Sequence, residues 1–331
     1  MPDTTETADL SLADQLQTLR QGCGLLRHPA LDALEMSGED RSRFLNGRVT
    51  CDVKPLEPGQ GVYGFVTSAK GRVLADLGVL ALADRFWLVL PPGTGAETRA
   101  QFEKFILADR VEIRPLEGWR AVMLAGPAAP RLLESLGALP ERTFHHAETE
   151  LAGQNVRIVR ERDLGFPVFT LWLPGTGADA VLTALRERGV AEVGFEAWET
   201  VRIEAGQPRF GADFGPDCFP QETGLETLAV SYTKGCYLGQ EVVARIHYRG
   251  GVQRELRGLL FSPDAAAEPG RALLQEGREV GKIGSATHSP RAGCQIGLAV
   301  VHQRAATGTT VEVEGGGYAT LKDLPFSFAD G

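Results

Sequence analysis

The sequence predicts an α+β protein that ends in a small antiparallel β-barrel. Three observations point there: a strand-strand-helix pattern written twice, a change of texture after Gly250-Gly251, and a length of 331 residues, which exceeds what one hydrophobic core usually serves. With 43% hydrophobic residues the chain can fill more than one core.

Residues 1–15 read as a flexible N-terminus, with Leu10, Leu16 and Leu19 spaced to line one side of a short helix. From Gly71 onward the pattern gives strands over 73–82 and 86–90, then a helix over 96–107 with Phe102, Phe105 and Ile106 at helical spacing, then a strand over 111–114. A second round follows. It has a strand over 120–124, a helix over 130–136, strands over 156–160 and 166–173, and a helix over 181–188 that Gly189 ends. The phrase Leu90-Pro91-Pro92-Gly93-Thr94-Gly95-Ala96 sits between strand and helix in the first round, and Leu173-Pro174-Gly175-Thr176-Gly177-Ala178 does the same in the second. This predicts duplicated strand-strand-helix units packed side by side. Gly-Thr-Gly before a helix is not a phosphate loop here, because the Lys-[Ser/Thr] of a P-loop and the full GxGxxG spacing are both missing.

A helix over 196–204 then delivers Glu204 to a glycine-rich segment, and residues 145–146, His-His, read as a loop. After Gly251, short alternating segments over 256–261, 278–285, 295–301 and 309–313, separated by Gly- and Pro-rich turns, predict the barrel. The expected organisation is two intertwined α+β domains over 16–250, with an internal break near 118, and the barrel over 251–331.

The net charge of −9 argues against a general nucleic-acid binder. One local exception lies between Tyr232 and Arg257, where Lys234, Arg245, Arg249, Arg254 and Arg257 face only Glu241 and Glu255. Such a patch suits an anionic ligand. The five cysteines, Cys23, Cys51, Cys218, Cys236 and Cys294, are scattered and odd in number, without C-x-x-C spacing, so neither a disulfide framework nor a resident metal is expected. The acidic N-terminal stretch has no leader pattern, and no apolar run is long enough to span a bilayer. A cytoplasmic protein that binds neither membrane nor nucleic acid directly is the expectation.

The most informative segment is Lys234-Gly235-Cys236-Tyr237-Leu238-Gly239-Gln240-Glu241, followed by a run over 240–246 that reads as a short helix or a strand. Its glycines permit tight backbone approach. If the run is helical, Cys236 lies near a helix N-terminus with Lys234 two residues away, and both favour the thiolate. Against this stands the commoner case of a free cysteine as a small buried hydrophobe.

The octapeptide resembles the K-G-C-[FY]-x-G-Q-E signature of the YgfZ family of folate-binding proteins, relatives of the glycine-cleavage T-protein, an aminomethyltransferase. Further blocks fit the same resemblance: Phe44-Leu45-Asn46-Gly47-Arg48-Val49-Thr50-Cys51-Asp52, Ser68-Ala69-Lys70-Gly71-Arg72, Arg202-Ile203-Glu204-Ala205-Gly206, Pro220-Gln221-Glu222, Gly281-Lys282-Ile283-Gly284-Ser285, and Leu324-Pro325-Phe326. It spans most of residues 30–326, and only the octapeptide is specific to the YgfZ branch. The resemblance implies two ferredoxin-like α+β domains of T-protein type around a central channel, closed by the barrel, in a monomer that binds tetrahydrofolate. It also implies Cys236 as the functional thiol, with Lys234 assisting it and with iron-sulfur client enzymes or assembly proteins as partners. Glu204 would accept two hydrogen bonds from a pterin edge, with Arg202, Gly239, Gln240 and Arg245 completing the ligand site and His247 helping to hold an anionic partner.

Two departures matter. T-proteins place adjacent aspartates where this chain has Ala75-Asp76, so one carboxylate is missing, and the acidic strand of the T-protein is only partly kept in Asp163-Leu164-Gly165-Phe166-Pro167-Val168. Asp76 remains a catalytic candidate beside the plainer reading of a buried or capping aspartate. The leading expectation is a folate-dependent accessory protein for iron-sulfur cluster assembly or repair. The alternatives are a tetrahydrofolate-dependent one-carbon transferase and a binding module with a structural cysteine.

Overall fold

The computed structural model describes residues 10–27, 31–137 and 139–328. The chain forms two compact units: one holds the described residues up to Val66 with Asp76–Trp198 and Lys234–Cys236, the other Thr67–Ala75, Glu199–Thr233 and Tyr237 onward.

In chain order the first unit begins with α1 (Leu12–Gln21), β1 (Gly24–Leu26), β2 (Asp32–Ser37), α2 (Arg41–Asn46) and β3 (Gly61–Thr67). It continues with β4 (Val73–Ala81), β5 (Arg85–Leu90), α3 (Gly95–Glu103), β6 (Glu112–Pro115), β7 (Trp119–Ala125) and α4 (Ala129–Ser135). Then come β8 (His146–Leu151), β9 (Gln154–Arg160), β10 (Val168–Pro174), α5 (Ala178–Glu187), β11 (Ala191–Glu192) and α6 (Phe195–Glu204), the last of which runs on into the second unit.

Two sheets carry this unit, with strand orders β3-β4-β5-β2-β6 and β11-β1-β7-β10-β9-β8. The duplication is visible in them. Antiparallel β4 and β5 precede α3 in one sheet, antiparallel β9 and β10 precede α5 in the other, and each helix leads to an edge strand. The sheets meet through Leu80 and Trp87 on one side and Ala121, Val159 and Trp172 on the other, with the Trp87 and Trp172 rings edge to face at 5.9 Å. Leu133 of α4 and Val181, Leu182 and Leu185 of α5 bury against the opposite face of the six-stranded sheet, with Val122, Ile158 and Leu171.

Sequence and structure differ in several places. Helix α1 starts inside the stretch read as flexible: Ser11 Oγ accepts the Asp14 N–H at 3.2 Å, a helix N-cap. Leu16 and Leu19 are buried as expected, while Leu10 stays exposed and residues 1–9 lie outside the described residues. Helix α3 ends at Glu103, where the Phe105 and Ile106 amides turn to carbonyls three residues back. His146 is not in a loop but opens β8, buried. Arg157 donates to its Nδ1 at 2.6 Å, so its Nε2–H is the donor to the Ala81 carbonyl at 3.0 Å.

The second unit adds α7 (Glu226–Ala229), α8 (Gln240–Arg249) and the strands β12 (Arg254–Phe261), β13 (Ala272–Gln275), β14 (Arg278–Ser289), β15 (Cys294–His302), β16 (Thr310–Val313) and β17 (Tyr318–Lys322). These strands close a barrel in the order β12-β15-β14-β13-β16-β17, every pairing antiparallel. Six strands rather than four close it, β13 and β17 being the two that the segments read from the sequence leave out. Leu259, Leu273, Ile283, Val301, Val311 and Leu321 fill its interior. Residues 240–249 are helical, which resolves the ambiguity of that run.

Candidate functional site

The blocks that stood out in the sequence have distinct structural duties. Lys234 is buried, and its ammonium donates to the carbonyls of Asn46 (2.7 Å), Val49 (2.7 Å) and Cys51 (2.6 Å). An ammonium has three donors. Those three are spent on the Asn46–Cys51 loop, so what Lys234 stabilises is that loop rather than the Cys236 thiolate. Burial pulls its amine down to about 8.

Leu238 and Gly239 are held in the second unit. Thr67 Oγ1 donates to the Leu238 carbonyl at 2.5 Å. Gly239, with φ +89°, leaves no room for a side chain: a Cβ there would lie 2.4 Å from the Ser68 carbonyl oxygen. The Ser68-Ala69-Lys70-Gly71 turn and the octapeptide are therefore complementary, which accounts for both being recognisable. Tyr237 is buried, Gln240 opens α8, and Gln221 donates to the Val243 carbonyl on that helix at 2.8 Å. Cys236 lies ahead of the Gly239 cap and not in the first helical turn. Of the five free cysteines it alone is exposed.

Arg202 and Glu204 share α6. Arg202 donates to both carboxylate oxygens of Glu199, to Asp213, to Ser285 Oγ and to the Gln207 carbonyl, at 2.6 to 2.9 Å. Its five N–H donors are thus all engaged within the protein. Glu204 is buried and accepts from Ser289 Oγ at 2.6 Å. The basic patch read between 232 and 257 is dispersed: Lys234 is buried, Arg254 pairs with Glu222 and Asp217, and Arg257 pairs with Glu255 and Asp323. Arg245 and Arg249 remain exposed on α8. His247, on the same helix, faces Glu226 at 2.8 Å.

The group with the most chemical potential is Asp76. On β4 the residues Val73, Ala75 and Leu77 are buried, and Asp76 projects from the opposite face, as strand alternation requires. The absent carboxylate at Ala75 and the present one at Asp76 thus occupy different surroundings, and Asp76 is the one that meets a partner. Tyr63 Oη donates to its Oδ2 at 2.6 Å, while Oδ1, sealed from solvent, has no hydrogen-bond partner among the described residues. Burial pushes the Asp76 carboxyl up to about 6, against the lowering effect of the Tyr63 hydrogen bond. The Tyr63 ring stacks on Phe144 at 5.6 Å, and Phe144 has a left-handed φ of +65° that side chains rarely adopt. Sequence reasoning missed Tyr63. The signal was available in the turn at Ser68–Arg72, which sets Tyr63 and Asp76 at nearly equal distances along the two arms of a hairpin.

Among the described residues, no group of three His, Cys, Asp or Glu side chains could hold a metal ion, and no helix is long and apolar enough to cross a membrane.

Residues 4–234 match the GCVT N-terminal domain family, and residues 254–326 match the glycine cleavage T-protein C-terminal barrel domain. The chain is 27% identical over 308 residues to an aminomethyltransferase of Exiguobacterium sibiricum, covering 92% of this chain and 85% of the relative. It is 28% identical to a putative chloroplastic transferase of Arabidopsis thaliana, covering 88% and 68% of the two chains. The crystal structure of the glycine cleavage system aminomethyltransferase T from Bartonella henselae superposes with a TM-score of 0.85 at 26% identity, covering 97% of this chain and 91% of that one.

Proposed function

The chain belongs to the GCVT N-terminal domain family, joined to the T-protein C-terminal barrel, and from that premise we propose that it binds tetrahydrofolate and acts as a one-carbon transferase of aminomethyltransferase type. The observation that carries this reading is the Tyr63–Asp76 pair, a buried carboxylate with one oxygen engaged and the other unfilled. An acceptor sealed from water without a donor is costly, and an N–H or ammonium of a bound ligand would satisfy it. Reduced folate supplies an amine nitrogen that carries or receives the one-carbon unit. Asp76 would orient that part of the ligand and take or return a proton at Oδ1, while Tyr63 keeps Oδ2 fixed. A carboxyl raised to about 6 is better matched to proton exchange near neutral pH than an ordinary aspartate. Glu204 would hold a pterin edge.

Asp76→Asn is expected to lower turnover by about 10²–10⁴-fold, with tetrahydrofolate affinity, read by calorimetry with oxygen excluded, largely retained. Undiminished turnover would remove Asp76 from the mechanism. Glu204→Gln is expected to act the other way, weakening affinity.

A second reading is favoured by a different observation. Lys234, Leu238 and Gly239 are each fixed to the protein, whereas Cys236 between them is exposed. That is how a working thiol would be displayed in a tetrahydrofolate-binding accessory protein that supports iron-sulfur cluster assembly or repair in client enzymes. Cys236→Ser should then fail to restore cluster-enzyme activity in cells lacking the protein, and full restoration sinks this reading.

A further inference from the structure

Resting on the reduced-folate reading, we propose that Phe144 is a positioning residue of the Asp76 site: it fixes the Tyr63 ring, and through that ring the hydroxyl that holds Asp76 Oδ2. The starting point is a gap in β3. Residues two apart on a strand share a face, so Tyr63 has Gly61 on one side and Phe65 on the other. Phe65 meets the Tyr63 ring edge to face at 5.8 Å. Gly61 has no side chain to offer, and the space is taken by Phe144: a Cβ on Gly61 would lie 2.2 Å from the Phe144 carbonyl oxygen. From there the Phe144 ring stacks on Tyr63, with centroids 5.6 Å apart and planes at 16°.

The backbone is strained to achieve this. Phe144 has φ +65°, a left-handed conformation that a bulky residue keeps only where its surroundings over-determine it. Its N–H donates to the Arg160 carbonyl at 2.7 Å, the Arg160 N–H donates to the His145 carbonyl at 3.0 Å, and the His146 N–H donates to the Gly59 carbonyl at 2.8 Å. The turn is thus pinned to the end of β9 on one side and to the approach to β3 on the other. Glycine would adopt this φ without cost, but it could not supply a ring against Tyr63. With one face and one edge packed, Tyr63 keeps its hydroxyl on Asp76 Oδ2 at 2.6 Å. That bond lowers the Asp76 pKa, so a loosened Tyr63 raises it.

The test is the Asp76 titration midpoint, read by NMR of labelled aspartate carboxyls in the full-length protein without ligand and assigned with Asp76→Asn. Wild type should titrate at about 6. Phe144→Gly relaxes the backbone while removing the ring, and should raise the midpoint by up to about one pH unit, the worth of one hydrogen bond. Phe144→Tyr keeps the ring and should leave it in place. Made in Tyr63→Phe protein, Phe144→Gly should lose its upward effect, because the hydroxyl it acts through is gone. A midpoint that Phe144→Gly leaves unmoved, or moves equally in both backgrounds, overturns the proposal.

This titration needs no folate, so it fails separately from the transferase reading. Undiminished turnover of Asp76→Asn protein, with the midpoint shift present, removes that reading and leaves Phe144 its role. Lost turnover with an unmoved midpoint does the reverse.

Discussion

The Arg202 cluster and the Tyr63–Asp76 pair are both polar assemblies withdrawn from water, and they differ in what is left over. All five N–H groups of Arg202 are used by Glu199, Asp213, Ser285 and the Gln207 carbonyl. In the other pair one carboxylate oxygen is used and one is not. Both sit on segments that resemblance to a family singles out, so recognisability does not separate them. Saturation does. A guanidinium whose five donors are all taken has nothing left to offer a ligand and serves the fold; Asp213 beside it also keeps one buried oxygen unfilled, but its other oxygen is neutralised by that guanidinium, whereas Asp76 has only the Tyr63 hydroxyl.

The strongest test of that contrast is Arg202→Ala, which strands the buried Asp213 carboxylate and leaves Glu199 with only Arg209 at 3.3 Å. It should cost about 3–5 kcal/mol, seen as a lower denaturation midpoint, whereas Asp76→Asn should leave the midpoint unchanged or raise it. Equal stability of the Arg202→Ala protein and wild type would break the comparison.

A pH series sharpens it, because burial disfavours the charged form of each group, and a buried base and a buried acid then lose stability in opposite pH directions. His146 is held neutral between Arg157 and the Ala81 carbonyl, and burial with the Arg157 charge lowers it from 6.5 to about 4. Its contribution is present above its unfolded value of 6.5 and is lost as pH falls through 4, about 3 kcal/mol in all. Asp76 is raised from 3.8 to about 6, so its ionisation removes stability as pH rises through that window. His146→Gln should flatten the acid limb, and Asp76→Asn should abolish the loss between 3.8 and 6, both measured by denaturant titration across pH.

The smallest expected effect is that of Tyr63→Phe. It deletes the hydrogen bond that lowers the Asp76 pKa, so the acid limb of turnover should move above 6, with a stability change of about 1 kcal/mol. An unmoved limb would mean that Asp76 is not the group being read.

Much of the architecture was legible because it is periodic. The paired Pro-Gly-Thr-Gly phrases announced β4-β5-α3 and β9-β10-α5, and the Gly- and Pro-punctuated segments announced a barrel. Some short elements were not legible: β1 and β11 carry only three and two residues, too few for alternation to rise above chance, and their neighbours in the sheet make them strands. In the candidate site, Asp76 was named but its partner was not, because Tyr63 becomes its neighbour only through the β3–β4 hairpin. Lys234 shows the converse failure. Adjacency in sequence suggested a thiolate partner, yet a buried side chain is claimed by whichever acceptors the tertiary fold brings to it, and those are carbonyls far away in the chain. The same holds for the basic window after Tyr232, where counting charges along the chain could not foresee Glu222, Asp217 and Asp323.

The three bonds of Lys234 also impose an order in time. The loop they fasten is synthesised early, and its fastener follows as many as 188 residues later. A ribosome-bound chain carrying every sheet strand of the first unit still lacks its closing contact until Lys234 emerges, and contacts of such separation make for slow folding. Lys234 precedes the barrel strands in the chain, so maturation of the first unit waits on a residue made only after all of that unit's own strands.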